Sequence, residues 1–174
     1  MSIESKVLGQ QVAYPTDYCP SILVPVPRSL NREIYDIHTP EELFRGFDTW
    51  HAYEAGFLTR NGLPVCGVLK LVYPANSPCI VESKSLKLYL NSLNMTRLGE
   101  DIPSGIETYL QTVKSDLEQI LQTRVEATFF RQTLEKPYFD FQDYTLLEAT
   151  PGIERETFTE YSENPALLES RTTG

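Results

Sequence analysis

Cysteine and histidine are scarce in this chain of 174 residues, which has only Cys19, Cys66 and Cys79 with His38 and His51. No two cysteines stand in a C-x-x-C spacing. Idle or buried thiols in a reducing compartment therefore fit better than a disulfide framework or a zinc site. Glycine-rich phosphate loops are missing too. The chain has no G-x-G-x-x-G, no G-x-x-x-x-G-K-[ST], no H-E-x-x-H and no G-x-S-x-G, which disfavours a Rossmann or P-loop cofactor site. Basic residues are outnumbered, 15 Lys and Arg against 24 Asp and Glu, for a net charge of −9. That balance argues against direct binding of nucleic acid or an anionic membrane, yet leaves room for a local basic site on one phosphate. No apolar run approaches membrane-spanning length, and the first residues carry no apolar leader. The expectation is a bacterial-type cytoplasmic protein.

Apolar residues make up 41% and aromatics 11%, enough for one packed domain of ordinary size. Residues 1–46 read as a proline-rich extension packed on that domain. Pro15, Pro20, Pro25, Pro27 and Pro40 remove amide donors and restrict their neighbours, which disfavours long helices and central strands. Pro20 to Asn31 is apolar enough to lie across the body. The domain itself spans 47–147. Phe47 to Leu58 reads as a strand bearing Trp50, Tyr53 and Phe57, and Asn61-Gly62 marks a turn. Val65 to Tyr73 reads as a second strand, with Val65, Gly67, Leu69, Leu71 and Tyr73 on one face.

Glu82 to Asn94 predicts a helix with Leu86, Leu90 and Leu93 inward and Ser83 or Ser85 as its cap. Ser104 followed by Glu107 predicts a capping box. A stripe of Ile106, Tyr109, Leu110, Val113, Leu117, Ile120 and Leu121 then makes a second helix. Arg124 to Arg131 and Tyr138 to Leu147 read as two further strands. Residues 148–174 carry six acids, Glu148, Glu154, Glu156, Glu160, Glu163 and Glu169, and read as a linker or arm. The order ββααββ implies an α+β layer, an antiparallel four-stranded sheet with two helices on one face. It matches the tunnelling fold (T-fold), whose units join edge to edge and place active sites between them.

The chemistry concentrates at the start of the first predicted long helix. Glu82 could accept two N–H donors from the edge of a guanine-like base, or it could simply be an acid favoured by the helix dipole. Ser83, Lys84 and Lys87 could form a phosphate site, or merely a solvated polar face. Asn91 and Asn94 could reach a neighbouring subunit, but read first as simple polar helix positions. Cys66, inside an apolar strand, and Cys79, just before the helix, are the local thiols to weigh as nucleophiles. Both read first as structural. His51 reads as a sheet residue.

Four segments carry a family resemblance: P-V-P-R-S-L-N-R at 25–32, F-D-T-W-H-A-Y-E at 47–54, N-G-L-P at 61–64, and N-S-P-C-I-V-E-S-K-S-L-K-L-Y-L-N-S-L-N at 76–94. Together they resemble the NADPH-dependent 7-cyano-7-deazaguanine reductases of queuosine biosynthesis, in particular the N-terminal half of their two-domain form. The resemblance implies that Val81, Glu82 and Ser83 touch the deazaguanine and that Ser83 and Lys84 touch NADPH. It also implies a reaction in which a thiolate adds to the nitrile and two NADPH reduce it to an aminomethyl group. The family's nucleophilic Cys lies seven residues before a proton-donating Asp. In this chain Leu58 and Val65 occupy those places. Met95 to Glu100 stands where an H-x-x-F-H-E-type segment is expected.

No catalytic residue is therefore assigned to this chain. The Cys and Asp are expected from a second T-fold unit, in a homo- or hetero-oligomer, and the isolated chain is expected to be inactive. The alternatives are a non-catalytic deazapurine-binding or assembly module of the same fold, and another T-fold enzyme acting on a pterin or purine.

Overall fold

The computed structural model describes residues 15–37, 45–131 and 151–152, apart from the side chains of Asn31 and Glu54. The chain divides into two compact units, Met1–Leu134 and Glu135–Gly174, and the elements below belong to the first. A 3-10 turn at Pro20–Ile22 precedes β1 (Pro25–Pro27), α1 (Arg28–Glu33), β2 (Phe47–Leu58), β3 (Pro64–Pro74), β4 (Cys79–Val81), α2 (Ser83–Ser92), α3 (Ile102–Leu121) and β5 (Glu126–Phe130). Strands β2, β3 and β5 form an antiparallel sheet in that order, and β1 pairs with β4 in a separate antiparallel ladder. The architecture is α+β with antiparallel sheets, compatible with the T-fold. Relative to the expected order, β1, α1 and β4 are additions. The strand expected at Tyr138 to Leu147 and most of the acidic tail lie outside the described residues.

Strand β2 keeps Trp50 and Phe57 inward by a device that simple alternation hides. Trp50 and Phe57 are seven residues apart, an odd separation that would send them to opposite faces of a regular strand. The pairing shifts between Ala52↔Leu69 and Ala55↔Gly67, three steps along β2 against two along β3. This bulge restores the parity. Trp50 then packs against the core, Phe57 is buried, and Tyr53 inside the bulge is 73% exposed.

One core joins the sheet and both long helices. From β3 it takes Val65, Leu69, Leu71 and Tyr73, from α2 Leu86, Tyr89 and Leu90, and Leu93 from the cap that follows α2. From α3 it takes Tyr109, Val113, Leu117 and Leu121, spaced by four and all buried. Ile106, Leu110 and Ile120 flank that stripe and are partly buried. Each fully buried aliphatic side chain contributes about 1.5–3 kcal/mol, so helix stability here comes mainly from packing.

Both helix caps differ from expectation. The N-cap of α2 is Glu82 itself, whose side chain accepts from the Lys84 and Ser85 amides. Neither Ser83 nor Ser85 takes that place, because the longer carboxylate reaches two amides at once. In α3 the capping box is Asp101 with Ser104, one turn earlier than Ser104 with Glu107. Asp101 accepts from the Ser104 amide at 2.9 Å, and the Ser104 hydroxyl accepts from the Asp101 amide at 3.2 Å. Ile102 and Pro103 therefore start the helix, and Pro103 needs no amide donor there.

The described part of the proline-rich segment is bonded to the body at several points. Leu23 enters the core. Arg28 forms an ion pair with Asp48 at the start of β2 and donates from Nε and Nη2 to Ser77 Oγ at 3.2 and 3.0 Å. Ser77 Oγ in turn donates to the Cys79 carbonyl at 2.9 Å. A planar guanidinium serves both acceptors at once and so ties α1 to the start of β2 and to the turn before β4.

Candidate functional site

The predicted site residues meet where β4 runs into α2. Val81 is buried, and its amide lies 3.4 Å from the Tyr73 hydroxyl, which also accepts from the Trp50 indole Nε1 at 2.8 Å. Burial raises the Tyr73 pKa and keeps that phenol neutral. Glu82 follows. Its Oε1 accepts from the Lys84 amide at 2.9 Å and its Oε2 from the Ser85 amide at 2.6 Å. A carboxylate offers about four acceptor positions, so these two bonds orient it and leave room for two donors on the edge of a base. Helix capping and base recognition are compatible roles for this one side chain.

Ser83 and Lys84 are exposed in the first turn of α2. Ser83 also lines a cleft of about 270 Å³ between α2 and β2, together with Lys87, Asn91, Leu86, Leu90 and the strand segment Trp50 to Tyr53. A hydroxyl, two ammonium groups within one turn and the positive end of a ten-residue helix make a donor set that suits a phosphate. A second cleft of about 360 Å³ continues beside Tyr53 and is lined by Gly56, Cys66 and Asn94, among others. Both clefts follow the edge of β2 that pairs with no other strand among the described residues, beyond a single bridge from Leu58 to Arg97.

The candidate nucleophiles separate. Cys66 is exposed and faces away from the helices, paired with Gly56. The apolar surroundings expected from its strand sequence are therefore not what it meets. Cys79 is partly buried in β4, opposite Pro27. Leu58 and Val65 lie in β2 and β3, and Val65 is buried. Among the described residues no group of three or more His, Cys, Asp or Glu could hold a metal ion.

A family model described as "Nitrile reductase, 7-cyano-7-deazaguanine-reductase N-term" matches residues 14–129. The chain belongs to this nitrile reductase family. A protein of Acinetobacter baumannii named NADPH-dependent 7-cyano-7-deazaguanine reductase is 39% identical over 131 residues, 75% of this chain and 46% of that protein. One of the same name from Legionella pneumophila is 36% identical over 146 residues, 84% of this chain and 47% of that protein. The chain thus spans about half the length of the curated nitrile reductases it matches, and the family match is to their amino-terminal part.

Several polar groups packed around α2 make bonds that the sequence does not show. Ser85 and Ser92 are buried serines inside a helix, and Tyr73 is a buried hydroxyl in a strand. Asp116 accepts from the Tyr18 and Tyr89 hydroxyls at 2.6 and 2.5 Å. The seven-residue spacing of Ser85 and Ser92 on the apolar side of α2 was the available signal, since a polar residue buried there requires a partner.

Proposed function

We propose that this unit is the amino-terminal half of an NADPH-dependent nitrile reductase, which converts 7-cyano-7-deazaguanine to 7-aminomethyl-7-deazaguanine in tRNA queuosine biosynthesis. Val81, Glu82 and Ser83 hold the deazaguanine. Glu82 accepts from the N–H donors of the pyrimidine edge, and the Lys84 and Ser85 amides keep its carboxylate in place. Ser83 and Lys84 hold part of NADPH, which supplies hydride when bound. The nucleophilic Cys and the proton-donating Asp come from a second T-fold unit, because this chain has Leu58 and Val65 at the matching places. The open edge of β2, with exposed Tyr53 and its two clefts, supports an arrangement in which that unit lies alongside. The unit itself is read as a ββααββ layer, and its place of work as the cytoplasm, in an oligomer.

The observation that carries this reading is the doubly bonded Glu82 carboxylate at the start of α2, within the residues that the family model matches. Its test is nitrile-dependent oxidation of NADPH. The chain alone gives none. Mixed with a second unit that carries a Cys-x6-Asp pair, it gives turnover, and Glu82→Ala abolishes it. Turnover by the chain alone would overturn the half-site and make Cys66 or Cys79 the nucleophile. Base binding abolished by Glu82→Ala, with no turnover in any mixture, would leave a binding module.

A further inference from the structure

Two buried serines on α2 make the same unusual contact. Ser85 Oγ accepts the Val24 amide at 3.1 Å and donates to the Glu82 carbonyl at 2.8 Å. Ser92 Oγ accepts the Cys19 amide at 3.2 Å and donates to the Tyr89 carbonyl at 2.6 Å. Seven residues span two helical turns, so the hydroxyls form two rungs on which the 19–24 segment rests. Only the upper rung is closed through the site. The Glu82 amide donates to the Val24 carbonyl at 3.0 Å, and the Ser85 amide donates to the Glu82 carboxylate at 2.6 Å. Val24, Glu82 and Ser85 are thus joined by four hydrogen bonds, with Ser85 only 4% exposed. A part-buried network of this kind is coupled, because losing one member leaves its partners unsatisfied.

We infer that Ser85 is a positioning residue for Glu82 and that its hydroxyl makes the carboxylate's placement depend on the docked amino-terminal segment. Ser85 itself is buried and does not line the cleft beside α2. It holds the backbone on both sides of Glu82 and passes to it the position of Val24. The consequence for base binding rests on the role proposed above for Glu82, whereas the coupling itself does not.

The test compares Ser85→Ala with Ser92→Ala in the full chain, since the lower rung removes equivalent bonds without touching Glu82. Amide hydrogen exchange is read at Val24, Glu82, Lys84 and position 85. Ser85→Ala speeds exchange at all four by about tenfold or more, the effect expected for loss of roughly one net hydrogen bond. Ser92→Ala leaves them unchanged. Val24→Pro gives a second route should Ser85→Ala not fold. It removes only the segment's donor, and Leu23 at φ −60°, ψ 129° already has the dihedrals that a residue before proline prefers. It speeds exchange at Glu82, Lys84 and Ser85 in the same way.

The coupling is overturned if exchange rises at Val24 alone, or if the two serine variants act alike. Calorimetric titration with 7-cyano-7-deazaguanine then reads the consequence, an affinity about tenfold weaker in Ser85→Ala than in Ser92→Ala. A wild-type chain that binds no base, while Ser85→Ala still releases the Glu82 and Lys84 amides, would sink the role of Glu82 and uphold the coupling.

Discussion

Glu82 satisfies two amides that every helix leaves without an intrahelical partner, and in doing so it gives up half of its acceptor capacity. The remaining half is what a base edge can use. One side chain thus stabilises the helix start and, in the function proposed above, also recognises the base. Tyr109 shows the opposite case. Its ring stacks on Phe57 at 5.5 Å and meets the edge of Phe129 at the same distance. Its hydroxyl is buried with no hydrogen-bond partner among the described residues, and burial raises its pKa. Removing that hydroxyl keeps the ring contacts and ends the desolvation cost. Tyr109→Phe should therefore leave stability unchanged or raise it by up to about 1 kcal/mol, read from the urea midpoint at constant slope. A loss of that size would instead show that the hydroxyl is satisfied.

Helix α3 depends on two features of its first turn. Gly105 lies where the Phe57 ring and the Leu98 carbonyl leave no space, and an added Cβ would overlap both. Alanine would improve helix propensity by about 1 kcal/mol, but overpacking against a buried ring and a backbone carbonyl costs about 1–3 kcal/mol or more. The strain wins, so Gly105→Ala should lower stability, by about 1–2 kcal/mol on these magnitudes, and calorimetric unfolding checks the sign. The second feature is the Asp101 cap. Hydrogen bonds from the Ser104 hydroxyl and amide hold its pKa below the usual carboxylate value. A group with a depressed folded pKa stabilises fully above its unfolded value and loses that contribution as pH falls through the folded one. The α3 start should loosen below about pH 4. Asp101→Asn should flatten the acid limb of the stability curve, and an unchanged limb would remove the cap from the account.

Across the molecule, the exposed Tyr18 and the buried Tyr89 link the amino-terminal segment, α2 and α3. Asp116 on α3 accepts from Tyr18 and Tyr89, and burial followed by this carboxylate raises both phenol pKa values. Burial alone raises that of Tyr109. A raised folded pKa contributes stability that is complete below the ordinary value of 10.0 and lost as pH rises beyond it. Alkaline unfolding should therefore be cooperative, with phenolate absorbance from these rings growing in the same step that loses circular dichroism. Phenolate formation well before the loss of helix would show that the Tyr18–Asp116–Tyr89 bonds do not hold the segment. Mixing with a second T-fold unit, as set out above, tests function at this same scale.

Much of the framework was legible in the chain. Phe47 to Leu58 was bounded correctly because aromatic and β-branched residues stop at Asn61-Gly62. The stripe from Ile106 to Leu121 was complete because helical periodicity is a local property. The motif at 76–94 identified the family because its length makes coincidence improbable, as the family match bears out. Local patterns could not show the bulge in β2, because parity is restored only by the partner strand. They misplaced both caps, since several polar residues near each helix start could bond and backbone geometry selects among them. They also missed the long-range bonds of Ser85 and Ser92, whose partners lie 61 and 73 residues away. Recurring local chemistry was thus written in the residues, while burial, parity and bonds between distant segments came from the fold that brings those segments together.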